Sequence, residues 1–154
     1  MILLVDGYNV VYGAPESRGA ALGDARAELE RRLAAYRARH RTVGVEVYWD
    51  GDRDVRPSGI TRVQGIRVVY TSGSADRAIV ERVRELDRPG RVTVVTDDGA
   101  LARRVRAEGA AVLPVAALAE RLKGPLPPGD EQKLRPDTGP GKDITDDLKD
   151  VWGA

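Results

Sequence analysis

Short apolar runs recur along this chain, and the charged or turn-forming residues that end them confine it to one kind of fold. Residues 2–5 (ILLV) are uninterrupted apolar residues followed at once by Asp6. A run too short for a helix, with no polar alternation, suits a parallel strand covered on both faces. Comparable runs lie at 43–49, 66–70, 91–96 and 110–113. Helical spacing fills the intervals between them. Leu22, Leu29, Leu33 and Tyr36 share one face and predict a helix over 24–39. Ser74 reads as an N-cap with Asp76 in the first turn, and Ile79, Val80, Val83 and Leu86 supply that helix's inner face. After Pro89-Gly90, Asp97-Asp98-Gly99 opens another helix, with Leu101, Ala102 and Val105 inward and Gly109 closing it; residues 115–122 make the last. Strands alternating with helices predict an α/β domain built on a doubly wound parallel sheet. Two stretches stand outside this rhythm. Residues 7–23 read as a Gly- and Pro-containing connection. Residues 51–65 read as a turn-rich, charged link without the helix that a right-handed crossover normally carries.

Composition removes several chemistries. The chain has 154 residues, enough for one domain with a real core. With no Cys, disulfides, thiolate metal sites and Cys nucleophiles are excluded. With His40 as the only histidine, a multi-His zinc site and Ser-His-Asp catalysis lose their parts; His40 itself reads as a solvated residue at a helix end. No run approaches a membrane span, and the first apolar run is too short for a signal segment, so the expected location is cytoplasmic. Net charge is +1, but the part up to Lys123 is mildly basic and the remainder acidic.

The organisation follows from these contrasts. Residues 1–123 read as the folded domain. Residues 124–142, rich in Pro, Gly and charge, read as a flexible linker that cannot bury a core. Residues 143–154 read as a short amphipathic segment in which Ile144, Leu148, Val151 and Trp152 share a face. Such a face needs a partner surface, in the same chain or in a second copy; a homodimer through this segment is one arrangement the linker permits.

In an open parallel sheet, ligands sit beyond the carboxyl ends of the strands. The first strand delivers Asp6, with Asn9 close behind, and the second delivers Asp50. The third leads to Asp76, and the fourth delivers Asp97 and Asp98. Asp50, Asp76, Asp97 and Asp98 each have an ordinary alternative as a turn residue, helix cap or helix-dipole partner, whereas Asp6, directly after a buried strand and before Gly7-Tyr8-Asn9, has no capping role. Jointly they bring carboxylates from successive strands to one edge. Bare carboxylates held together raise one another's pKa, and a divalent cation relieves that repulsion. Oxygen ligands without His or Cys favour Mg²⁺ or Mn²⁺ over zinc, and a phosphodiester could complete the coordination shell. Arg18, Arg53, Arg56, Arg77 and Arg103 are the candidate phosphate contacts near that edge. Tyr8 reads as packing under the first loop rather than as a base-stacking platform.

The segment Val5-Asp6-Gly7-Tyr8-Asn9-Val10 resembles the opening signature of NYN-domain ribonucleases of the PIN-like nuclease group, and the chain is most similar to their YacP-like branch. Val47-Tyr48-Trp49-Asp50-Gly51, Ser74-Ala75-Asp76 and Val95-Thr96-Asp97-Asp98 follow in the family's order. The resemblance covers residues 1–122. It implies a PIN-like three-layer α/β/α sandwich with a central, mostly parallel sheet. It also implies a metal-dependent endoribonuclease acting on single-stranded or ribosome-associated RNA. Carried over by position, Asp6, Asp50, Asp76 and Asp98 would be the acids around the metal, and Asn9 would orient a ligand. The family commonly has Thr-Ser-Asp at 96–98, which makes Asp98 the matching acid and Asp97 an additional one. Where the family often has a second carboxylate beside the Asp76 position, this chain has Arg77.

Other readings of the sheet are weaker. A haloacid-dehalogenase-like enzyme wants an acid two residues after its nucleophile, where Tyr8 stands. A receiver domain wants a Lys at the end of its last strand, where Pro114 stands. The remaining alternative keeps the fold and gives up turnover: a catalytically weak module that binds RNA or the ribosome.

Overall fold

The computed structural model describes residues 1–13, 22–51 and 58–123. The residues called linker and C-terminal segment, and Arg18, Arg53 and Arg56, lie outside the described residues.

Strand β1 (Ile2–Asp6) runs into helix α1 (Gly7–Gly13); α2 (Leu22–Arg39) leads to β2 (Gly44–Trp49). Next come β3 (Gly59–Val63), β4 (Ile66–Tyr70) and α3 (Ala75–Glu85). A 3₁₀ turn at Pro89–Arg91 precedes β5 (Val92–Val95), followed by α4 (Gly99–Ala107), β6 (Ala111–Leu113) and α5 (Val115–Leu122). The sheet order is β3-β4-β2-β1-β5-β6, and every pairing is parallel except β3 with β4.

Alternation along the strands builds two cores. Leu3, Val5, Val45, Val47 and Trp49 face α1, α2 and α5; Leu4, Tyr48, Val92 and Val94 face α3 and α4. Helices therefore cover both faces, and the three-layer sandwich implied by the family resemblance is the architecture found. Leu29, Leu33 and Tyr36 of α2 and Ile79, Val80 and Val83 of α3 are buried as their helical spacing requires. Among the described residues, no helix is long and apolar enough to cross a membrane.

Two elements depart from the sequence expectation. Residues 7–13, read as connection, are helical. This segment opens on Gly7 and carries β-branched Val10 and Val11, so its intrinsic helix preference is poor. Packing supplies what propensity lacks: Tyr8, Val10 and Val11 are all buried. Residues 59–63, read as part of a turn-rich link, form the antiparallel edge strand β3. All but Val63 are exposed, so no inward-facing apolar pattern marks them. The β3–β4 turn is Gln64-Gly65, both with positive φ (48° and 91°), the two-residue hairpin geometry whose twist matches paired strands. Between the parallel strands β2 and β4, β3 is the only element among the described residues, so no helical crossover is seen there.

Candidate active site

Strand order reverses at β1, while β1 stays parallel to both neighbours. From β1 the sheet grows through β2 toward one edge, and after α3 it resumes at β5 on the other side. A crevice opens at such a switch point, beyond the strand ends. Asp6, the last residue of β1, sits at that crevice, only 8% exposed.

Its neighbours come from three other elements. Thr96, just past β5, donates from Oγ1 to Asp6 Oδ2 at 3.3 Å, and the same oxygen accepts from the Asp98 backbone N–H at 3.0 Å. Thr96 thereby ties the ends of β1 and β5 together. The Asn9 backbone N–H also binds the Asp6 carboxylate. Burial, reinforced by the charge of Asp76 and then of Asp98, nonetheless pushes the Asp6 carboxyl up to about 7. Asp76, in the first turn of α3, is likewise raised, by burial first and then by Asp98, with a smaller contribution from Asp50; Arg104 of α4 opposes the shift. Asp76 and Asp98 also share a side-chain hydrogen bond. The fold thus gathers Asp6, Asp76 and Asp98, with Asp50 near enough to Asp76 for its charge to be felt there.

Asp98 has a second job. Its Oδ1 accepts from the Ala100 and Leu101 backbone N–H groups at 2.9 and 3.3 Å, capping α4. The capping role foreseen as an alternative and the clustering role therefore coexist in one side chain. Asp97 points elsewhere. Its Oδ1 accepts from Val115 N–H at 3.0 Å, serving the start of α5, where Pro114 has no side-chain acceptor to offer. Asn9 joins this arrangement from α1, its Oδ1 accepting from the Asp97 backbone N–H at 2.7 Å. That bond makes Asn9 a brace between the β1 and β5 ends. Of the arginines, Arg77 is exposed and pairs loosely with Glu81, and Arg103 is exposed in the middle of α4, its guanidinium reaching back beside Gly99. Sequence reasoning missed Thr96 and Arg104. Thr96 stands in the Thr96-Asp97-Asp98 segment but reads there only as a strand residue, and nothing in the local sequence marks Arg104.

This division of labour between adjacent acids is testable. Asp97→Ala is expected to cost about 1 kcal/mol of stability through the lost contact at α5 and to leave the Asp6 titration midpoint unchanged. Asp98→Asn keeps a good N-cap but removes a negative charge, so the Asp6 midpoint should fall. Carbon-detected NMR of the Asp carboxyls against pH reads both. A shift of the Asp6 midpoint in Asp97→Ala as large as that in Asp98→Asn would reverse the two assignments.

Among the described residues, no three acids converge into a ready-made cation cage. The donors are neighbours that repel one another rather than a closed shell.

Comparison with known proteins decides the family. The YacP-like NYN domain matches residues 3–149. The chain belongs to this family. Its fold is accordingly that of an RNase-type nuclease, and the matched region runs past Lys123, beyond the described residues. Among solved structures, Rae1 (YacP) from Bacillus subtilis is similar with a TM-score of 0.68 at 21% identity, covering 96% of this chain and 83% of that one. Its W164L mutant gives 0.65 at 19%, covering 96% and 91%. At these identities the likeness supports the fold. No curated protein matches by sequence.

Proposed function

We propose that this YacP-like NYN domain is a metal-dependent endoribonuclease that hydrolyses RNA phosphodiester bonds with water, using Mg²⁺ or Mn²⁺ at the Asp6 edge. The observation that carries the reading is the Asp6 carboxyl, buried at the switch point and raised by burial together with Asp76 and Asp98. A structural acid would be expected to have a cationic partner at such a cost. The residues fit a hard cation: all donors are carboxylate oxygens. The open arrangement suits Mg²⁺ in particular, which usually takes one or two carboxylates and completes its shell with water and phosphate oxygens. When bound, such a cation supplies charge for the phosphoryl oxygens and an activated water.

The chain's own residues have separable parts. Asp6, Asp76 and Asp98 hold negative charge at the crevice, with Asp50 alongside. Thr96 and Asn9 are positioning residues, fixing Asp6 against the β5–α4 turn. Arg77 and Arg103, exposed beside the crevice, neutralise the substrate backbone. Tyr8 contributes packing, buried against Trp49 at 5.0 Å between ring centroids.

Incubation of the full chain with a mixed RNA pool tests the reading. Cleavage is expected with Mn²⁺ or Mg²⁺ and none with EDTA. Binding without cleavage under every metal condition would instead make the protein a catalytically weak RNA-binding module. Repeating the assay on messenger RNA free and on ribosomes separates a ribosome-dependent activity from a free one. Size measurement of the full chain against a truncation after Lys123 reports whether the C-terminal segment joins two copies.

A further inference from the structure

At the end of the sheet opposite the acids, the starts of β1 and β2, the β3–β4 turn and the last turns of α2 and α3 line an open cavity of about 260 Å³. Its walls carry four arginines, Arg37, Arg62, Arg67 and Arg82, and one carboxylate, Glu46. Glu46 is fully engaged. Arg82 donates from Nε to Oε1 at 3.0 Å and from Nη2 to Oε2 at 2.8 Å, and the Tyr48 hydroxyl donates to Oε1 at 2.7 Å. Arg67 stands 3.5 Å from Oε2. Neither Arg37 nor Arg62 has a carboxylate partner among the described residues, so the pocket keeps a surplus of positive charge.

The register sharpens this. Glu46, Arg67 and Arg62 are direct cross-strand partners in one row across β2, β4 and β3. Like charges directly opposite in a sheet are destabilising, and an anion between Arg62 and Arg67 removes that penalty. Arg37 reaches the same place from α2, its side chain lying against Gly65 of the hairpin turn. Neutralising helix C-termini would account for Arg37 and Arg82, which sit in the last turns of α2 and α3. It does not account for Arg62 and Arg67, which belong to strands.

We propose that this pocket binds a phosphate group through Arg37, Arg62 and Arg67. Guanidinium forks match phosphate oxygens bidentately. Guanidinium groups from three elements, α2, β3 and β4, line the pocket, which has room for a tetrahedral oxyanion. Four residue steps of β1 put it roughly 13 Å from the acidic edge. The site is therefore separate from the crevice and stands whether or not the chain cleaves RNA.

The test uses the full chain in EDTA at fixed ionic strength, following the arginine Nε–Hε NMR signals. One titration adds inorganic phosphate, the other a short single-stranded RNA. Saturable shifts of the Arg37 and Arg62 signals are expected, with no variant needed to see them. Shifts with phosphate alone identify a free oxyanion as the ligand; shifts with RNA but not phosphate identify a backbone phosphodiester. The double variant Arg37→Ala/Arg62→Ala should weaken the effective probe about tenfold or more, and with RNA should flatten the salt dependence by about 1.4 in log–log slope. Absence of shifts with both probes, or wild-type affinity in the double variant, overturns the proposal.

Discussion

Asp6→Asn is expected to lower RNA cleavage by at least ~100-fold and, without added metal, to make the protein more stable at neutral and alkaline pH. Both effects have one origin. The Asp6 carboxyl titrates at about 7 in the folded chain, against an ordinary value of 3.8. Between those values the native state holds a proton that the unfolded chain has released, so metal-free stability falls as pH rises from about 4 to beyond 7. The difference corresponds to a penalty on the order of 4 kcal/mol above that window. Asparagine keeps the shape and removes the charge, so most of this slope should disappear. A residue should persist, because Asp76 is also raised. The carboxyl of Glu46 does not blur the result. Its burial alone would raise it, but the bonds from Arg82 and Tyr48 hold it below its ordinary value, so its contribution is lost only at more acid pH. Urea unfolding in EDTA at several pH values between 4 and 8 measures the slope directly. A wild-type stability that is flat or rises across that range would remove the physical basis for the site. An active Asp6→Asn protein would remove Asp6 from the chemistry.

The parts of this arrangement that could be read from sequence are those that repeat a physical pattern. Apolar runs ending in Asp6 and Asp50 announced parallel strands with acids at their carboxyl ends, and helical spacing placed α2 through α5 within a few residues. The parts that could not be read depend on contacts between distant segments. Helix α1 forms against its own propensity because Tyr8, Val10 and Val11 find a core. Strand β3 has no buried pattern and exists because β4 offers it an edge. Asp97 and Asp98 are chemically identical neighbours: the family resemblance singled out Asp98, but the partners of each, the start of α4 for Asp98 and Val115 for Asp97, depend on the fold. The arginine pocket combines residues from α2, α3, β3 and β4, none of which forms a recognisable motif alone. Thr96 shows the same limit within a motif: its hydroxyl matters because β1 and β5 lie side by side, and adjacency in the sheet is not written in either strand.

Among the described glycines, Gly51→Ala is expected to be the most damaging substitution, for stability and activity together. A Cβ at Gly51 would lie 1.8 Å from the Thr71 carbonyl oxygen and 2.9 Å from its carbon. These are backbone atoms, so no rotamer change relieves the contact. The approach is close because β2 and β4 are laced together just past their ends: Gly51 N–H donates to Thr71 Oγ1 at 3.1 Å and to the Gly73 carbonyl at 3.3 Å, and Thr71 N–H to the Trp49 carbonyl at 3.1 Å. Separating the two strand ends breaks this lacing and moves the adjacent Asp50 and the segment leading to Asp76. The cost should reach or exceed ~3 kcal/mol, the upper end for overpacking, or roughly 6–12 °C in melting temperature for a domain of this size. Gly7→Ala should follow closely. Its Cβ would meet the Trp49 ring at 2.5 Å. That ring is fully buried, pinned by Tyr8 on one side and by its Nε1 bond to Glu30 at 2.9 Å. Gly90→Ala is the control, since a Cβ there meets nothing within 4 Å, and it should fall within about 0.5 kcal/mol of the wild type. Urea midpoints of the three variants rank them. If Gly51→Ala is no less stable than Gly90→Ala, then β2 and β4 do not close as described, and the path that carries Asp50 and Asp76 to one edge must be redrawn.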